Sequence, residues 1–264
     1  MLAVLSPAKS LDYESPLATR KYTRPRLLED AADLVDVMRT KSVHEVASMM
    51  QVSEELAATN VRRYQDFTLP FTYRNARAAV LAFDGEVYRG LDAPARFDAR
   101  DFTEAQKTVR ILSGLYGILR PLDLIQPYRL EMGVTLPTER GATLYQWWDT
   151  RLTDLLVEDL HASPGPAVLL NLASQEYSKA LQFSRFNRVI SPRFEQATAG
   201  GGTRLASFAA KRARGLMTRW VVQQRVRSVR ALQRFDLEGY RFDPARSTAD
   251  TPVFVREQDA PAGG

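Results

Sequence analysis

The apolar positions of this chain fall into short runs and helical faces that recur from residue 1 to about 256. Leu2-Ala3-Val4-Leu5 is a continuous apolar run closed by the turn Ser6-Pro7-Ala8-Lys9, the pattern of a buried strand. Leu27, Leu28, Ala31, Leu34, Val35 and Met38 then keep helical spacing behind Pro25. Ser42 followed by Glu45 forms a capping box that opens a second helix, with His44 exposed in its first turn, and a third starts at Ser53 and runs to about Phe67. AAVLAF at 78–83 predicts a buried strand leading into Asp84-Gly85-Glu86. Thr103 and Gln106 repeat the capping pattern and predict a helix with Ala105, Val109 and Leu112 on one face, ending at Ser113-Gly114. One amphipathic helix is expected from Leu144 through Leu156, with Trp147 and Trp148 in packing positions and His161 at its end.

AVLLNL at 167–172 is the strongest strand signal, and VISPRFEQ and TRLASF on either side of Gly200-Gly201-Gly202 predict a hairpin. Beyond it Ala209, Ala213, Leu216 and Trp220 share a helical face, whereas Val222, Val226 and Val229 move to the opposite side, which predicts a break within 221–227. Strands alternating with helices predict a mixed α/β (α+β) fold: one compact domain over 1–256, a mixed sheet surrounded by helices, and a flexible tail at 257–264. Ligands gather at the carboxyl ends of sheet strands. Three such ends carry polar residues, so Lys9, Asp84, Glu86, Asn171, Glu176 and Lys179 are expected to line one cleft.

Composition narrows the chemistry. The chain has no cysteine and two histidines, which excludes disulfides, thiolate metal sites, cysteine nucleophiles and a multi-histidine centre; no metal site and no cofactor are expected. No apolar run approaches the ~18 residues of a membrane span and the N-terminus lacks a basic lead, so a cytoplasmic protein without a membrane partner is expected. The net charge of +5 conceals a sharp asymmetry. Between Arg204 and Arg234 nine basic residues, including Lys211, Arg214 and Arg219, occur with no acid, so the rest of the chain sums to −4. Such a segment is either a solvated helix face or a footprint for phosphates.

The segment LSGLYGILRPLD at 112–123 carries two glycines three apart, and it resembles the hairpin of helix-hairpin-helix DNA-binding motifs, in which close backbone approach lets amide groups hold a phosphate. Gly114 and Gly117 would form that turn, with Arg110, Arg120 and Arg129 nearby, although Pro121 and Pro127 leave little room for a regular second helix.

Longer blocks carry a further resemblance: LSPAKSLDY at 5–13, FDGEVYRGL at 83–91, RILSGLYGILRPLDLIQPYRLEMG at 110–133, LYQWW at 144–148, NLASQEYSKA at 171–180 and KRARGLMTRWVV at 211–222. In these the chain resembles the YaaA family of bacterial peroxide-stress-resistance proteins. The resemblance implies a cytoplasmic protein that limits peroxide damage by keeping unincorporated iron low and binds duplex or branched DNA through a basic cleft and a helix-hairpin-helix element. Carried over, the hairpin is Gly114 to Gly117 beside Arg120 and Arg129, and Lys9, Lys211 and Arg214 match basic positions. No reaction comes with it.

Two functions remain from different classes. One is DNA binding without strong sequence preference, through Gly114, Gly117, Arg120, Arg129, Lys211, Arg214 and Arg219. The other is an enzyme acting on DNA or a nucleotide, with Lys9 or Lys179 as nucleophile and Asp84 or Glu176 as proton carrier. Iron sequestration ranks below both, since only oxygen ligands are on offer.

Overall fold

The computed structural model describes residues 1–198 and 202–257; Gly200 and Gly201 of the expected turn and residues 258–264 of the expected tail lie outside them. The chain opens with strand β1 (Leu2–Leu5), followed by helices α1 (Leu28–Arg39), α2 (Val43–Met50) and α3 (Glu54–Gln65). Ser42 and Glu45 form the full reciprocal capping box on α2, and the Ser53 hydroxyl caps α3. After α4 (Glu86–Leu91) and α5 (Ala99–Thr108) come β2 (Val109–Ser113) and β3 (Gly117–Leu119), then α6 (Leu144–Trp148) and α7 (Arg151–Ala162). The remaining principal elements are β4 (Leu169–Asn171), β5 (Val189–Ile190), β6 (Arg193–Ala197), β7 (Thr203–Arg204), α8 (Ser207–Gln223), α9 (Val229–Leu232), β8 (Tyr240–Asp243) and β9 (Val253–Arg256).

The fold is α+β. The larger sheet has the order β5-β4-β1-β2-β3, parallel throughout except for the β2–β3 hairpin. Every residue of β1 is buried, as a central parallel strand covered on both faces requires. The smaller sheet, β7-β6-β9-β8, pairs β6 with β9 in parallel and carries antiparallel strands at both edges. One continuous apolar core links them, from Met1 to Phe254. No helix among the described residues is long and apolar enough to cross a membrane.

Several expected elements take a different form. AAVLAF is buried, but Ala79–Ala82 is a helical turn between two-residue strands, Arg77–Ala78 and Phe83–Asp84. Helix α5 starts four residues before Thr103, at a capping box built by Asp98 and Asp101, and gives way to strand β2 at Val109. The single helix expected from Leu144 is two, because Asp149 takes a positive φ of 42° between α6 and α7. The break expected within 221–227 is present: α8 ends at Gln223, Arg225 takes a φ of 51°, and Ser228 caps α9.

The helix-hairpin-helix reading of 112–123 is corrected. Its flanks are strands β2 and β3, paired Ser113 to Gly117, and the turn lies in the core. Leu115 and Tyr116 are fully buried. The Gly114 carbonyl accepts a hydrogen bond from Trp148 Nε1 at 2.9 Å, and the Ser113 hydroxyl accepts from the Tyr116 amide at 2.9 Å. A Cβ on Gly114 would stand 2.2 Å from the Leu130 carbonyl oxygen, and Gly117 has a φ of +68°. The glycine spacing thus serves a β-turn packed against protein, where no phosphate can reach its amides.

Candidate functional site

In the larger sheet the chain continues from β1 to β2 on one side and from β4 to β5 on the other, so the strand order reverses between β1 and β4. An open α/β sheet has its binding crevice at the carboxyl ends flanking such a reversal. Here those ends are stitched together: Ser6, one residue past β1, accepts a hydrogen bond from the Ser174 amide at 2.8 Å and donates to the Ser174 hydroxyl at 3.2 Å.

A cleft of ≈ 330 Å³ opens above this stitch. One wall is the segment after β1, carrying Lys9; Ser10–Leu11 pairs with Phe83–Asp84, which holds Asp84 and Glu86 alongside. The opposite wall brings Glu131, Glu176 and Tyr177, and α8 supplies Phe208, Lys211 and Arg214. Helix α8 reaches the cleft because it crosses α4 with almost no separation. A Cβ on Gly215 would lie 1.8 Å from the Val87 carbonyl oxygen, and one on Gly90 would lie 2.1 Å from that of Arg212.

The charges of the cleft are unequally compensated. Arg89 forks onto Asp84 at 3.0 and 3.1 Å and reaches Glu86 at 3.2 Å. Lys9, its side chain 66% exposed, lies 3.3 Å from Glu131 Oε1, which Arg129 also contacts at 3.0 Å. The other oxygen of Glu131, Oε2, is buried and has no hydrogen-bond partner among the described residues. Glu176 Oε1 accepts from the Gly133 amide at 3.1 Å. Lys211 is exposed. Arg214 is half-buried, and its guanidinium has no ion-pair or hydrogen-bond partner among the described residues; burial alone lowers its pKa, with no neighbouring charge to offset it. Beneath the cations, burial pushes the Tyr88 and Tyr177 phenols well above their ordinary range, so both stay neutral donors. Tyr88 uses its hydroxyl on the Ser6 carbonyl at 3.0 Å.

Lys9, Asp84, Glu86 and Glu176 are therefore brought together with Lys211 and Arg214, while Asn171 and Lys179 are not part of the lining. Asn171 turns to Ser191 at 3.3 Å, and Lys179 is exposed elsewhere. Arg120 is occupied by the fully buried Asp123 at 2.8 Å and by the Arg24 carbonyl at 2.9 Å. Arg129 is committed to Glu131, and Arg219 sits near Arg96, Asp92 and Glu238 outside the cleft lining. Within the acid-free segment three arginines find acids from elsewhere in the chain: Arg212 with Glu238 at 2.5 Å, Arg225 with Asp101 at 2.8 Å, and Arg227 with Glu104. Much of the local +9 is thus a set of clamps. Sequence reasoning missed Glu131 and Phe208: the first stands between Leu130 and Met132 with no pattern to mark it, and the second falls at the end of TRLASF, expected as a strand, whereas the strand ends at Arg204 and α8 begins at Ser207.

A wider cavity of ≈ 660 Å³ adjoins the cleft and shares Lys9, Glu131 and Glu176 with it. Among the described residues no three histidines, aspartates or glutamates are grouped to hold a metal ion.

Residues 1–246 match the family model described as peroxide stress protein YaaA. A UPF0246 protein of Aromatoleum aromaticum is 51% identical over 263 residues, covering 98% of this chain and 100% of that protein. Another, from Cellvibrio japonicus, is 48% identical over 259 residues, covering 98% and 99%.

Proposed function

The chain belongs to the peroxide stress protein YaaA family, and from that premise we propose that its cleft between β1 and β4 binds the phosphates of DNA without strong sequence preference, Arg214, Lys211 and Lys9 being the cations. Membership makes this a peroxide-stress-related protein. In the proposed reading it acts in the cytoplasm, and its contact with duplex or branched DNA limits damage linked to intracellular iron.

The observation that carries the reading is Arg214. A guanidinium taken partly out of water with no acceptor is unfavourable on its own and is normally compensated by an anion. A planar fork suits phosphate, and contacts of this kind position a protein on nucleic acid without reading its sequence. The buried hairpin plays no part. In a gel-shift titration with a short duplex, the double variant Lys211→Glu, Arg214→Glu is expected to lose binding at concentrations where the unaltered protein is saturated. Retained binding by a folded double variant would refute the proposal.

A second reading, an enzyme acting on DNA or a nucleotide, draws on the 3.3 Å approach of Lys9 to Glu131, an amine and a carboxylate placed to exchange a proton. Borohydride treatment in the presence of abasic DNA would trap a covalent adduct that Lys9→Arg loses; no adduct with the unaltered protein removes the lysine-nucleophile version.

A further inference from the structure

The same cleft has features that a duplex backbone does not use. Phe208 is 68% exposed and lines the cleft, so its ring is open to a ligand. Phe208, Lys211 and Arg214 follow one another at intervals of three on α8, so an aromatic ring and two cations form one oblique ridge along the opening. On the opposite wall stands Glu176, a half-buried carboxylate that lines the cleft and can accept from a ligand's hydroxyl or amine. The cavity volume of ≈ 330 Å³ is within the range of small-molecule sites and leaves room for one nucleotide beside the phosphate-binding cations.

A ring to stack on, cations for a phosphate and a carboxylate acceptor together match a single nucleotide whose base is out of its stack. The geometry points to a nucleotide site: the phosphate against Lys211 and Arg214, the base on Phe208, and a sugar hydroxyl or exocyclic amine donating to the Glu176 carboxylate on the opposite wall. A base in a duplex has both faces covered by its neighbours, so this ligand is an unpaired nucleotide of a strand or a free nucleotide. The inference rests on the phosphate-binding reading of the cleft and adds to it the class of nucleotide bound.

Fluorescence anisotropy and calorimetry decide it. The probes are a single-stranded oligodeoxyadenylate of about ten nucleotides, within the range of known single-strand sites, a duplex of the same length, and deoxyadenosine monophosphate alone. The single strand is expected to bind more tightly than the duplex, and Phe208→Ala to weaken the single strand by roughly tenfold, as loss of one stacked base does, while Phe208→Trp restores it. Phe208 is exposed, so these variants keep the core intact. Saturable binding of the monophosphate that Phe208→Ala weakens assigns the site to free nucleotide; Phe208-dependent binding of the oligomer alone assigns it to a nucleotide within a strand. Single-strand and monophosphate binding that ignore Phe208 would overturn the inference. In that event duplex binding that still requires Arg214 leaves the DNA-binding reading standing, whereas loss of all Arg214-dependent binding removes both.

Discussion

Asp159 shows what individual charges do in this protein away from the cleft. Arg26 grips its carboxylate with two hydrogen bonds, at 3.0 and 2.6 Å, and Arg110 adds a third at 2.6 Å. Burial alone would push the Asp159 carboxyl up, but the hydrogen bonds and charges of the two arginines outweigh it and hold the group below the usual carboxylate range. Its contribution to stability is therefore fully present above the unfolded-state value of ~3.9 and is lost as pH falls through the lower folded value. Asp159→Asn, which leaves two guanidinium groups without their anion, should cost about 3–5 kcal/mol in urea unfolding at neutral pH, and the variant should lose less stability on acidification than the parent. Arg120 makes the complementary case. Because it serves Asp123, Arg120→Gln should destabilise the fold by roughly 3 kcal/mol yet leave DNA affinity unchanged, a pairing that unfolding and anisotropy read separately. Single residues were legible in the sequence where chemistry acts locally, as at the Ser42 cap. Partners 49 residues apart, such as Arg110 and Asp159, carry no sequence signal.

At the scale of elements, periodicity found α1 to α3, β1, β4 and the kink after α8, all of which satisfy their own patterns locally. It failed where a short apolar run fits two periods. Ala105, Val109 and Leu112 keep helical spacing, but Val109 to Ser113 lies beside β1, and sheet pairing with a buried strand overrides the continuation of the helix. Ala79–Ala82 went the other way, since a segment buried on all sides shows no alternation to separate a turn of helix from a strand. The hairpin glycines were read correctly as a tight turn and assigned to the wrong neighbours, because a close backbone approach to Leu130 and one to a phosphate require the same residue. The crossing of α4 and α8 is the element contact on which the cleft depends. Gly215→Ala must force these helices apart, with a cost at the top of the ~1–3 kcal/mol range for overpacking or beyond it. Circular dichroism melting measures that cost. DNA binding by the folded fraction should fall as well, since Lys211 and Arg214 ride on α8.

Over the whole molecule, the acid-free segment and the strand ends converge on one cleft, although by a different division of labour from the one the charge pattern suggests. Three of the nine basic residues clamp α8 and its exit onto acids from α5 and from Glu238, and two line the cleft. The strand-end argument located Lys9 and Glu176 because they follow strands of the larger sheet, whose order can be read from the succession of strands and helices; Asp84 reaches the cleft by another route, the pairing of Phe83–Asp84 with Ser10–Leu11, and Glu131 and Phe208 arrive from loops and helix faces whose positions depend on tertiary packing. The most direct test compares the salt dependence of duplex binding in the unaltered protein, in Arg214→Gln, and in a variant at Arg230, which is exposed in the same segment but outside the cleft lining. Each phosphate contact contributes about −0.9 to the slope of log affinity against log salt. Arg214→Gln should weaken binding and flatten that slope by about one contact, with Arg230→Gln leaving both unchanged. A slope and affinity insensitive to Arg214, or lowered equally by Arg230, would contradict the assignment of the cleft as the DNA-binding surface.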